Sequence, residues 1–159
     1  MATKTKKPKY ESPYRSSIVP IGEYRMLVQY TSDEDYKVEL ERRSAIVGER
    51  LKHNRDLKMT DYFEKRSVNI LQHLFDAKTA DDVLETVIKT VNISFSAYFR
   101  YRDFKDLLDQ KISELEYTDE QREILDFVKE SLDHHDLIAP KIGALYNILF
   151  QKKEGVSEN

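Results

Sequence analysis

The sequence predicts an all-α protein, a bundle of five to six helices behind a disordered basic N-terminal arm. Three observations carry this. Ser32, Thr60, Thr79 and Thr118 are each followed within a few residues by Asp, Glu or Gln, and then by apolar residues at three- and four-residue spacing. A hydroxyl so placed accepts a hydrogen bond from an orphaned backbone N–H, and the acids behind it suit the positive end of the helix dipole. Gly and Pro, four of each in 159 residues, are too few for a turn-rich all-β chain. A composition of 40% hydrophobic and 35% charged residues fits amphipathic helices with heavily solvated outer faces.

Residues 1–17 read as a flexible basic arm, Lys-rich and interrupted by Pro8 and Pro13, with Tyr10 and Tyr14 as anchors for a partner. Order is expected from Ile18, Val19 and Ile21. Tyr24, Met26, Val28 and Tyr30 alternate with Glu23, Arg25, Leu27 and Gln29, a strand signal in a stretch short enough for one or two helical turns. The first long helix should run from 33 to 55. Its stripe of Tyr36, Leu40, Val47 and Leu51, with Arg43 in the missing slot, is as narrow as a coiled-coil seam. It reads either as a helix laid on the bundle's periphery or as a partner-binding, self-associating seam.

Thr60 opens a second helix to Asp76, with Phe63, Ile70, Leu71, Leu74 and Phe75 on its core face. Thr79, with Asp82 at the capping-box position, opens a third through Leu84, Val87 and Ile88, whose spacing continues in Val91, Phe95 and Tyr98. Residues 92–101 also alternate as a strand would, but continuity with a capped helix favours helix. The alternative is an α+β fold in which 23–30 and 92–101 form a small two-stranded element. An unbroken helix over 80–115 would be roughly 54 Å long, against about 40 Å for a compact domain of this size, so a break is expected near Arg102–Asp103. Phe104, Leu107, Leu108, Ile112 and Leu115 follow it. Thr118 and Gln121 form a full capping box before Ile124, Leu125, Val128 and Leu132. Pro140 suits the first turn of a last helix carrying Ile142, Leu145, Leu149 and Phe150. One helical domain is expected over 18–152, with 153–159 as a frayed tail.

The chain has no cysteine, which removes disulfides, thiolate metal sites and cysteine nucleophiles. No apolar run approaches the ~20 residues of a membrane span, and no signal-peptide stretch follows the basic start. The expectation is a cytoplasmic protein with no membrane partner. Asp133-His134-His135-Asp136 is the one local cluster of metal-ligand types. Neighbouring residues on a helix point about 100° apart, so the two histidines cannot face one ion, and the run reads as a polar helix end. His53 and His73 stand apart from it. Gly22, Gly48, Gly143 and Gly155 are too scattered for a phosphate loop. No metal site, cofactor or catalytic residue is predicted.

Charge is unevenly placed in a chain of net charge −3. Lys4, Lys6, Lys7, Lys9 and Arg15 face only Glu11 at the N-terminus. A second basic zone holds Arg42, Arg43, Arg50, Lys52, Arg55 and Lys58, and an acidic zone runs from Glu114 to Asp136. The favoured function is therefore a non-catalytic interaction protein, an adaptor, regulator or assembly factor docking through helical surfaces, with Tyr36, Leu40, Val47 and Leu51 as the partner-binding residues. The second reading is nucleic-acid binding through Lys4, Lys6, Lys7, Lys9, Arg42, Arg43, Arg50, Lys52 and Arg55, which neutralise phosphates. Tyr98, Arg100 and Arg102 would assist if residues 98–102 presented a stacking face. The competing view of that run is core aromatics with arginines snorkelling outward. A third reading is an enzyme using carboxylate-bound magnesium.

Overall fold

The computed structural model describes residues 8–51, 60–90 and 98–131, while the side chains of residues 46, 49–51, 60, 61, 63 and 131 fall outside that description. Within it the chain forms two strands, β1 (Arg15–Ile21) and β2 (Tyr24–Tyr30). Five helices follow: α1 (Asp33–Leu51), α2 (Thr60–Asp76), α3 (Ala80–Lys89), α4 (Tyr101–Glu114) and α5 (Asp119–Ser131). The fold is α+β, which corrects the all-α prediction.

The strand pair is also not the one expected. β2 matches the alternating segment, but its antiparallel partner is β1, in a register that sets Ile18 opposite Leu27 and Ile21 opposite Tyr24. Residues 8–17 of the expected arm belong to the fold, with Tyr10, Ser12 and Tyr14 bonded to α4 and Arg15–Ser17 in β1, while residues 1–7 lie outside the described residues. Residues 98–100 are turn and irregular chain and Tyr101 is already helical, so no strand forms there; residues 91–97 lie outside the described set. Loop closure favours the local pair, because 92–101 would have to close on β2 across about 60 residues, whereas β1 closes across two. Gly22, at φ +60°, occupies the first central position of that two-residue turn, the backbone of a type II′ hairpin. Pro20 lacks a donor and fits β1 as an edge strand.

Predicted caps are seen where side chains are described. The Asp35 N–H donates to Ser32 Oγ at 3.2 Å, and the Asp82 N–H to Thr79 Oγ1 at 3.2 Å. Thr118 and Gln121 exchange both bonds of the capping box, at 3.1 and 3.0 Å. α3 ends at Thr90, whose hydroxyl donates to the Val87 carbonyl at 2.7 Å. The break between α3 and α4 therefore falls before Tyr101, earlier than Arg102–Asp103. The helix expected from Pro140 and the Asp133–Asp136 cluster lie outside the described residues.

α1 covers β2, α2 packs against α3 and α4, and α4 packs against α5. Met26, Leu27, Val28, Leu74, Leu84, Phe104, Leu108 and Leu125 form the centre of one core. Burial of both faces of β2 explains its short apolar run: Met26 Sδ meets the Ser44 hydroxyl on α1, while Gln29 meets α4. Among the described residues, no helix is long and apolar enough to cross a membrane.

Candidate functional site

The predicted seam on α1 is used inside the molecule. Val47 is 2% exposed, and Tyr36 and Leu40 are half-buried against the same core. Tyr36 meets Tyr30 of β2 edge-on, with ring centroids 4.8 Å apart. The stripe is narrow because it covers a single strand. Leu51 closes α1, its side chain outside the described set.

The described arginines of the basic zone are also engaged internally. Arg42 lies over the Tyr101 ring at 4.0 Å and reaches Glu39 at 3.4 Å. Arg43 is buried and donates to the Phe99 carbonyl at 3.4 Å; burial lowers its guanidinium to about 10, still charged at neutral pH. Burial, with Glu39 beside it, pushes the Tyr101 phenol up to about 12. Tyr98, Phe99 and Tyr101 are core residues rather than a presented stacking face. Lys9 is exposed; the side chain of Arg50, and Lys4, Lys6, Lys7, Lys52 and Arg55 entirely, lie outside the described residues.

Arg100 and Arg102 belong to a polar seam that ties the N-terminal segment and hairpin to α4. Arg102 bonds Asp35 at 2.6 Å and the Gln29 carbonyl at 3.0 Å, and lies over the Tyr14 ring at 4.6 Å. Burial works against this cation, but Asp35 outweighs it and holds the guanidinium above its ordinary value, while Arg102 holds the Asp35 carboxyl below the usual range. Arg100 donates to Ser16 Oγ at 3.3 Å. Asp103 is fully buried and accepts from Tyr10 at 2.5 Å, from Ser12 at 2.9 Å and from the Gln29 amide. Tyr14 donates to Asp106. Burial and these carboxylates raise both phenols, Tyr14 to about 12 and Tyr10 further. The oxygens of Gln29 complete the site: its side-chain oxygen caps the Arg102 N–H at 3.1 Å, at the start of a helix whose own N-cap, Arg100, offers no side-chain bond. With so many donors and acceptors already matched, the seam is structural.

A different face is open to a ligand. α2 turns Ser67, Ile70, Leu71 and Leu74 inward and sets Tyr62, Lys65, Arg66, Asn69 and His73 outward at three- and four-residue steps. With Lys89 of α3 they line a groove of about 350 Å³ floored by Ile70. No carboxylate lines it among the described residues. Among the described residues Lys65 and Lys89 make no ion pair there, and Arg66 Nε is shielded from water without a hydrogen-bond partner. At the far end, His73 and Lys89 are shared with a shallower depression of about 180 Å³ carrying Asp76, Asp82 and Glu85. This groove was not read from the sequence. Its signal was the polar helical face Tyr62-Arg66-Asn69-His73, opposite the apolar face that defined α2. Among the described residues no group of three His, Cys, Asp or Glu side chains is arranged to hold a metal ion. Comparison with protein-family models, with curated proteins and with solved structures finds no match for this chain.

Proposed function

We propose that this protein is a non-catalytic interaction protein, an adaptor, regulator or assembly factor, that holds an acidic protein segment in the α2–α3 groove. The groove is the observation that carries the reading. Arg42, Arg43, Arg100 and Arg102 have partners within the fold, whereas Lys65 and Lys89 present cations to solvent beside an apolar floor and the exposed Tyr62 ring. Aromatic anchors and arginine are the residues that most often carry protein interfaces. Nucleic acid is the poorer fit. Beyond the groove, Asp76, Asp82 and Glu85 line the neighbouring depression, so a phosphate run continuing past His73 would meet repulsion that a short acidic segment ending within the groove avoids. A cytoplasmic location belongs to the same proposal and is checked by cell fractionation.

The test is capture from nuclease-treated extract with the full chain and with Lys65→Glu/Lys89→Glu. The reading expects proteins held by the native chain and released by the variant. Identical sets on both would reject the groove as a docking site.

A further inference from the structure

We infer that the occupant of the α2–α3 groove is a second copy of this chain, which inserts the acidic face of its α5. The inference rests on the docking role proposed for the groove and names the partner. Asp119, Glu123, Asp126 and Glu130 are all exposed and follow one another at i, i+4, i+7 and i+11. On a helix that spacing is a single straight face, about 16 Å long. Tyr62, Arg66, Asn69 and His73 follow one another at the same three intervals on α2. The two faces thus match in length and periodicity, and the groove's Lys65, Arg66 and Lys89 are opposite in charge to the α5 acids. None of the four α5 acids makes an ion pair among the described residues, although Lys129 on the same helix bonds Asp109 at 2.5 Å. α5 buries Gln121, Leu125 and Val128 on its other side, which leaves the acids facing solvent.

The contact is between molecules because α4 packs against both α2 and α5 within one. Joining unlike patches makes it head-to-tail, so each copy offers its groove to one neighbour and its α5 to another, giving a ring or short chains. Three helical turns make a small interface of the transient class. Attraction between exposed charges is weakened by salt.

Sedimentation velocity on the full chain tests this over a wide concentration range at low and high salt. The expected result is an average mass that rises with concentration at low salt and returns to monomer at high salt. Lys65→Glu/Lys89→Glu and Glu123→Lys/Asp126→Lys, both surface changes checked by circular dichroism, should each weaken association by roughly tenfold or more. Mixing the two variants should restore it, since each then meets a face of opposite sign. A native chain that stays monomeric throughout, or a groove variant that associates as before, overturns the inference. Labelled poly-glutamate and a labelled single-stranded oligonucleotide separate this failure from that of the docking role. With a monomeric chain, Lys65-dependent binding of poly-glutamate leaves the groove an acidic-peptide site with another partner. Binding of neither probe removes both claims, and binding of the oligonucleotide alone replaces them with a nucleic-acid site.

Discussion

Asp103 shows how much one residue can organise when its partners are distant in sequence. A carboxylate withdrawn from water must be fully hydrogen-bonded, and Tyr10, Ser12 and Gln29 do this from two separate segments. Asp103→Ala leaves those donors unmatched and should cost about 2–4 kcal/mol in urea unfolding, with Asp103→Asn milder because it keeps the shape and one acceptor. Tyr10 and Tyr14 add a pH dependence. Their folded pKa values are raised, so the neutral phenols stabilise the fold fully below about pH 10, and that contribution is lost as pH climbs through the folded values. Phenolate absorbance should show late-titrating tyrosines, Tyr101 and Tyr117 among them, and two fewer of them in Tyr10→Phe/Tyr14→Phe, and alkaline unfolding of that double variant should begin from a lower starting stability. On the acid side, Asp35 contributes above the ordinary carboxylate range, and its contribution falls away as pH drops through its lowered value. Both tyrosines stood out in the sequence as anchors for a partner. The anchoring is real, but the partner is the chain's own α4, some 90 positions away, and no local pattern reports such a distance.

At the scale of elements, signals confined to one or two turns were legible. Ser32, Thr79 and Thr118 cap the helices they announced, because a cap needs only a hydroxyl and the N–H three residues on. Thr118→Ala removes the hydroxyl that accepts from the Gln121 N–H, while the backbone N–H of residue 118 still donates to Gln121, and should lower stability by about 1 kcal/mol, read by urea or thermal melts, while Thr118→Ser should be nearly neutral. The hairpin was half-read. Gly22 followed by one residue between two β-rich runs is a two-residue turn signal, yet the basic composition before it directed the reading to a loose arm. Gly22→Ala places a Cβ on a left-handed backbone and should cost about 1 kcal/mol, although open space surrounds the position. The start of α4 was illegible for a different reason: its N–H cap comes from β2, so nothing near Tyr101 marks a beginning.

For the molecule as a whole, class and composition bounded the answer but did not decide it. The helix count depended on local periodicity and held for the described segments, whereas the small sheet depended on pairing, which periodicity does not encode. The α1 stripe shows the same limit, since one apolar face looks alike whether it covers a neighbouring strand or another molecule. Deleting residues 1–14 separates the two views of the N-terminus. A loose arm predicts unchanged stability. The observed seam predicts a loss of about 2–4 kcal/mol in chemical denaturation, together with faster proteolysis near β1.

Gln29 has a consequence for the order in which the chain acquires its shape. One amide closes the buried carboxylate of α4 and caps that helix's first turn, while its backbone pairs with Ser16 near the end of β2. α4 therefore cannot complete its own first turn until the hairpin, which α1 covers, is in place. The two should assemble as one cooperative foldon, with the Arg102 amide and the β2 amides exchanging deuterium at matched rates in native-state experiments.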